Sequence, residues 1–303
     1  MIREYGIDPE SINGFEKFFR IISFFGISNL RLIRKYPSKW SNLIIKANDN
    51  LPDREKHKLI EKLNSIDSQL IQCNISINGN PSYNGNIMWL ENAECYHNHF
   101  PFDAIISNTN PRAHNHVILA DLLTDLDPLM NVSNCYNVRR NAIDMAASIK
   151  SILENAKEIH FVDPHLRGMQ NRHLRPLKEF LNIIYNRTNR IPVQKVFYHT
   201  GDTDITNNDL SVELERRIKP VLPNGASLKL KRWPTDLMHN RFVLTNLGGF
   251  MFGIGLDDNN YNNIEYDTIT PIPPSVCYLQ KCDQQTNYYM DANLNEDFTI
   301  ENI

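Results

Sequence analysis

No stretch of this 303-residue chain reaches the roughly 18 to 20 consecutive apolar residues that a membrane-spanning helix needs. The first 30 residues carry no secretory pattern either: the apolar run Phe18 to Phe25 is interrupted by Arg20, and no small-residue cleavage site follows it. The five cysteines (Cys73, Cys95, Cys135, Cys277, Cys282) are odd in number and scattered, which fits free thiols in a reducing compartment better than a disulfide framework. Cys277 and Cys282 are close, but no second pair accompanies them to make a zinc site. Internal repeats and low-complexity linkers are absent too. These absences set aside the membrane-spanning, disulfide-stapled and solenoid classes, and the expected location is cytoplasmic.

What is present is length enough for one large domain or two ordinary ones, and an uneven charge. Arg139 to Arg241 holds 18 Lys and Arg against 11 Asp and Glu, although the whole chain carries a formal charge of -3. A basic half beside an acidic remainder suits a polyanionic partner, nucleic acid or an anionic lipid surface, while a solvated charged face explains any single cluster equally well.

Along the chain, Asp8 as N-cap, Pro9 at the first helical position, and Phe15, Phe18, Ile22 and Phe25 at helical spacing predict a helix. Two more are expected over Lys39 to Ala47 and Asp53 to Asn64, making residues 1–68 a small helical module. Short β-like pieces follow at Leu70 to Ile75, Ile87 to Leu90, Phe102 to Ser107 and Val117 to Leu123, so 69–136 reads as a mixed β-rich region whose strands could join the main sheet. Asn137 to Ala156 is the clearest helical seam, and it runs into the buried-strand signal Glu158 to Val162, which stops at Asp163-Pro164. Helix, strand, helix and strand then alternate up to Trp233, an α/β arrangement spanning 137–270. The remainder, 271–303, is a polar tail, expected to be poorly ordered beyond Tyr289.

Met238 to Asp258 reads as two apolar runs joined by Asn246-Leu247-Gly248-Gly249, a β-hairpin. On a strand, His239 and Arg241 share a face, which puts an imidazole and a fixed cation into one cleft. That pairing suits phosphate: the imidazole acts as nucleophile or acid/base and the guanidinium holds two oxygens. Spacing alone says little, because His165-Leu166-Arg167 and His173-Leu174-Arg175 repeat it.

Leu153 to Pro164 resembles the helix and first strand of phospholipase D-like domains. His239-Asn240-Arg241 with Gly248-Gly249 and Gly255-Leu256-Asp257 is similar to their degenerate His-x-Arg version, as in the carboxy-terminal domain of MIT-domain-containing proteins and bacterial relatives. The resemblance covers about Asn137 to Asp258 and implies an α-β-α sandwich, often dimeric, in which two histidine motifs meet and no metal or other cofactor is needed. Carried over, His239 is the nucleophile or acid/base, Arg241 replaces a lysine, and Asn246 stands where active members have aspartate. A second imidazole would come from a homodimer or from His165, just past the carboxyl end of a predicted strand, where α/β ligands bind. Arg167, Lys231 and Arg232 join Arg241 as candidate phosphate-binding cations. His173 and Arg175 would point about 200 degrees apart on a helix, which discounts them as a pair, and His160 reads as a satisfied core histidine.

Three functions stay open. The first is a metal-independent phosphodiesterase or nuclease, with prokaryotic defence as the context implied by the resemblance. The second is a non-catalytic phosphate-recognition module for nucleic acid or anionic lipid. The third is a metal-dependent hydrolase built on His97, His99, His114 and His116, two His-x-His pairs that fit no compact zinc-finger spacing.

Overall fold

The first strand, β1 (Arg3–Ile7), buries Tyr5 and Ile7 on one face and turns Gly6 to the other, where a Cβ would sit 3.2 Å from the Phe102 ring. Five residues with charged Arg3 and Glu4 at the start carry too little alternation to announce a strand. The computed structural model describes residues 2–67, 69–73, 83–132, 136–167, 170–187, 192–202, 205–259, 265–280 and 288–302. It divides into two units, Met1–Ser133 and Asn134–Ile303.

In the first unit β1 is followed by α1 (Phe15–Ile22), β2 (Arg31–Lys35), α2 (Trp40–Ala47), α3 (Asp53–Asp67), β3 (Ile71–Gln72), α4 (Trp89–His97), β4 (Ala104–Ser107) and β5 (Val117–Leu119). All five strands are parallel in the order β3-β2-β1-β4-β5. Phe18, Ile21, Trp40, Ile44, Leu59 and Leu63 pack with Tyr5 and Ile106 in one core, while Trp89, Ala93, Tyr96 and Phe102 pack with Ile105 and Val117 in another. A parallel sheet buried on both faces replaces the expected division into a helical module (1–68) and a β-rich region (69–136). The helices over 39–47 and 53–64 are where the periodicity puts them. Ile87 to Leu90, expected as strand, instead leads into α4, while the expected Leu70 to Ile75 strand is present as β3, its last two residues lying outside the described residues. Asp8 does cap, but the turn it caps is a short 3-10 helix, Pro9–Ile12, ahead of α1.

The second unit contains β6 (Tyr136–Arg139), α5 (Ala142–Ser148), α6 (Lys150–Asn155), β7 (Glu158–Val162), α7 (Asn171–Tyr185), β8 (Lys195–Gly201), α8 (Asn207–Arg217), β9 (Ala226–Trp233), β10 (Phe242–Thr245), β11 (Gly248–Phe252), β12 (Tyr266–Ile272), α9 (Pro274–Cys277) and β13 (Phe298–Asn302). Its eight strands run in the order β13-β9-β8-β7-β10-β11-β12-β6, with β7, β8 and β9 parallel and the other pairings antiparallel. The single helix expected over Asn137 to Ala156 is a strand followed by two helices. Asn141 accepts a hydrogen bond from the Asp144 amide to start α5, and Ile149 leaves helical geometry between α5 and α6.

The hairpin is where the sequence places it: Thr245 pairs with Gly248 across the two-residue turn Asn246-Leu247. A Cβ on Gly249 would lie 2.5 Å from the Val243 carbonyl oxygen and 2.9 Å from Cys277 Sγ, so only glycine lets β10, β11 and α9 approach this closely. The polar tail is corrected outright. Tyr289 and Met290 are buried with Val162, Trp233 and Phe242, and β13 completes the sheet along β9. Among the described residues no helix is long and apolar enough to cross a membrane.

Candidate functional site

The carboxyl ends of β7, β8 and β9 and the start of β10 meet at one end of the second sheet. Asp163, 2% exposed, ends β7 and ties two loops together: Oδ1 accepts from the His165 amide at 2.8 Å and Oδ2 from the Leu256 amide at 2.7 Å. Burial raises its carboxyl pKa above the ordinary value, against the pull of those two backbone bonds. At the end of β8 a Cβ on Gly201 would lie 2.7 Å from both the Pro164 carbonyl oxygen and Thr235 Oγ1. The loop after β7 and the loop leading into β10 therefore both pack directly against the end of β8.

His239 and Arg241 are not on a strand. They lie in the extended segment just before β10, where His239 is exposed and Arg241 half-buried. Arg241 Nη1 donates to the His239 carbonyl at 3.1 Å, and Nη2 approaches His165 Nε2 at 3.3 Å. Because a guanidinium only donates, His165 Nε2 is the acceptor and its ring proton sits on Nδ1. Arg241 Nε is buried without a hydrogen-bond partner, and among the described residues no carboxylate pairs with this arginine. The sequence-based choice of His165 as the second histidine thus lands beside the motif within one chain.

Neighbouring arginines are committed elsewhere. Arg140, 6% exposed, holds Asp257 Oδ1 at 2.7 Å and Glu265 at 2.5 Å. Arg172 Nε reaches Asp257 Oδ2 at 2.7 Å, and Arg175 grips Asp258 with both Nε and Nη2. Lys231 and Arg232, chosen as phosphate ligands, are also engaged: Lys231 Nζ lies 2.9 Å from Asp297, and Arg232 Nη2 lies 3.0 Å from Asp202. A cation already neutralised by a carboxylate gains little from phosphate, so these two leave the candidate set. Arg167 is half-buried with no ion pair among the described residues and stays in it.

No protein-family model and no curated protein matches this chain. A solved structure that does match is that of TrmBL2, an archaeal chromatin protein with a novel mode of DNA binding, at 16% identity and a TM-score of 0.26 over 48% of each chain. The chain spans about half the length of that structure, and a likeness at this level carries no argument.

Asn246 sits at the opposite end of β10 from Arg241. Its Oδ1 accepts from the amides of Lys157 and Glu158, at 2.8 and 3.2 Å, and so fastens the hairpin turn to the start of β7. The motif position is structural here, and its side chain bonds neither His239 nor Arg241. Asn246→Asp, whose carboxylate can accept the same two bonds, is expected to leave phosphate binding and any cleavage within about twofold of wild type. A large gain of cleavage in a side-by-side assay would return the residue to the site.

His173, on α7, is 6% exposed, and burial pushes its imidazole down to about 4, with nearby Arg172, His165 and Arg167 lowering it further against Asp257. It stays neutral behind the site. His160 is a satisfied core histidine, as expected, but it belongs to a chain of side chains that the sequence did not show. Trp233 Nε1 donates to His199 Nδ1 at 3.1 Å, His199 Nε2 meets His160 Nδ1 at 2.8 Å, and His160 Nε2 meets Glu158 Oε1 at 3.1 Å. An indole N–H can only donate, which fixes every proton: His199 carries its own on Nε2, and His160 carries its own on Nε2 facing the carboxylate. Both rings are neutral, and burial lowers both pKa values.

Of the remaining candidates, His97, His114 and His116 come together in the first unit, while His99 turns away and bonds the Cys95 carbonyl at 3.1 Å.

Proposed function

We propose that the second unit is a phospholipase D-like α-β-α sandwich that binds phosphodiesters, and cleaves them without a metal, at His165, His239 and Arg241. The observation that carries this reading is the state of Arg241: a half-buried guanidinium held by the His165 ring and the His239 backbone carbonyl, with no carboxylate to neutralise it among the described residues and one buried donor unused. A phosphate oxygen supplies the missing acceptor and the missing charge. Arg167, two positions after His165 in the chain, adds a second cation with no ion pair among the described residues. The basic 139–241 segment favours nucleic acid over lipid as the source of the phosphodiester. Because His165 supplies a second imidazole from the same chain, the reading does not depend on a homodimer.

In this scheme one imidazole attacks phosphorus or activates water, and the other protonates the departing alkoxide. Arg241 transfers its Nη2 contact from His165 to the phosphate, which frees the His165 lone pair on substrate binding. Recognition without cleavage is the second reading, favoured by that same contact, since in the resting state the Nε2 lone pair is taken.

Cleavage of a single-stranded oligonucleotide in EDTA tests both. Arg241→Ala is expected to weaken binding about 10- to 100-fold, the loss of one or two charged hydrogen bonds. Under the enzymatic reading His165→Ala and His239→Ala each abolish cleavage while retaining binding. Binding that is indifferent to Arg241 removes the proposal. Binding through Arg241 with no cleavage by wild type establishes the recognition reading, and transfer of that affinity to anionic vesicles makes lipid the ligand.

A further inference from the structure

Two imidazoles and one cation leave open which group attacks phosphorus. A histidine nucleophile is ordinarily oriented by a third group, often a carboxylate on its other ring nitrogen. Neither His165 nor His239 has that support: among the described residues the imidazoles in ion pairs are those of His57, His114 and His160. Asp163 bonds the backbone amide of His165, not its ring, and gives its other oxygen to the Leu256 amide. Asn246, at the far end of β10, is bonded to the amides of Lys157 and Glu158.

What the site does offer is a base beside a phosphate holder. His165 Nε2 lies 3.3 Å from Arg241 Nη2 and carries the lone pair of the ring. A phosphate oxygen that takes over Nη2 therefore brings its phosphorus next to a basic nitrogen. The His239 ring is exposed, so it regains protons from water between turnovers. An acid and a base suffice when the substrate brings its own nucleophile, and the 2′-hydroxyl beside a 3′-phosphodiester is one.

We infer that the substrate is RNA and that its 2′-hydroxyl, not a histidine, attacks phosphorus. The inference rests on reading His165, His239 and Arg241 as a phosphodiester site, and it narrows that reading. His165 Nε2 takes the 2′-hydroxyl proton as the 2′-oxygen bonds to phosphorus. The bond from phosphorus to the 5′-oxygen breaks, and protonated His239 gives that oxygen its proton. Arg241 holds non-bridging oxygens throughout. The products are a 2′,3′-cyclic phosphate and a free 5′-hydroxyl, and the histidine pair ends with its proton on His165 instead of His239. Water reverses the two roles when it opens the cyclic phosphate. DNA lacks the nucleophile, so it binds and is not cut.

An RNA oligonucleotide, its 2′-O-methyl counterpart and the matching DNA, each incubated in EDTA with the full-length protein and read by mass spectrometry, test this. RNA is expected to be cleaved at least about 100-fold faster than the other two, leaving cyclic phosphate ends, while all three bind through Arg241. Cleavage of DNA or methylated RNA at a rate comparable to RNA would overturn the inference and leave the phosphodiesterase reading intact. Binding through Arg241 with no cleavage of RNA would overturn it in favour of recognition alone, and binding indifferent to Arg241 would remove both. Uridine 3′-(4-nitrophenyl phosphate), whose leaving group needs no proton, separates the two histidines. His165→Ala is expected to lose about 100-fold or more on this ester and on RNA, and His239→Ala on RNA only. Equal losses for His239→Ala on both substrates would overturn its assignment as the acid.

Discussion

Asp257→Ala is expected to destabilise the second unit by about 3–5 kcal/mol, the cost of leaving a buried charge without its partner. Asp257 is 6% exposed and sits between two arginines. Arg140 behind it is equally buried, and once the Asp257 carboxylate is gone it keeps the residue-257 backbone carbonyl and, as a charged partner among the described residues, Glu265, whose side chain is 38% exposed. Arg172 also loses its carboxylate, although half of that side chain is in water and its loss counts for less. The damage should spread, because Asp257 follows the Gly255-Leu256 turn whose amide holds Asp163. Urea unfolding followed by tryptophan fluorescence measures it, since Trp233 lies in this unit. The double variant Arg140→Met, Asp257→Ala supplies the control. Removing both members of a buried ion pair in favour of apolar atoms is commonly near neutral, so the double variant should recover most of the loss. A double variant as unstable as the single one would mean that packing, not the unpaired charge, is responsible.

Stability of the same unit is expected to fall as the pH drops from about 6.5 to about 4, ahead of general acid unfolding. His173 is held near 4 in the folded chain, and an unfolded histidine titrates at 6.5. Between those values the unfolded chain takes a proton that the folded chain refuses, so folding loses free energy with every step down in pH. The full span corresponds to roughly 3 kcal/mol for this one residue. His160 and His199 are lowered in the same direction and act in the same window. Asp163 and Asp267 oppose them, because burial raises their carboxyl pKa values and the folded state accepts those protons more readily. Their effect enters above the ordinary carboxyl value of 3.8, so it overlaps the lower part of the histidine window and offsets some of the loss there. Urea midpoints at pH 7 and pH 5 should therefore differ, and His173→Gln should shrink the difference. Midpoints that do not move between those pH values would contradict the burial of three neutral histidines.

Parts of this architecture could be read before any coordinates. Glu158 to Val162 is a short apolar run ended by Asp163-Pro164, and proline after aspartate stops a strand cleanly, which is why His165 could be placed at a strand's carboxyl end. The hairpin was legible because Asn246-Leu247-Gly248-Gly249 joins two apolar runs, the strands turning at Asn246-Leu247. β1 and β2 were not, since Arg3, Glu4, Arg31, Arg34 and Lys35 mask two short buried strands with charges that belong to their ends. β13 was hidden by its composition: Phe298, Thr299, Glu301 and Asn302 read as tail, and only pairing with β9 makes them a strand. Asn246 misled for another reason. Motif spacing says which position is occupied but not which end of a strand it serves, and here four strand residues stand between it and Arg241. The Arg140–Asp257 pair joins residues 117 apart in the chain, a distance over which one sequence carries no signal.

The chain from Trp233 to Glu158 has a polarity that its bond lengths alone do not convey. Each of its three hydrogens points the same way, from β9 through β8 to β7, so the bond dipoles add and present their positive end to one carboxylate. Burial alone would raise the Glu158 pKa, yet it is lowered, with His160 and Lys195 as the opposing causes. The row of rings behaves as a fixed electret within the sheet, polarising a surface charge from an indole two strands away. Because the indole cannot accept a proton in return, the row stores this orientation and conducts nothing.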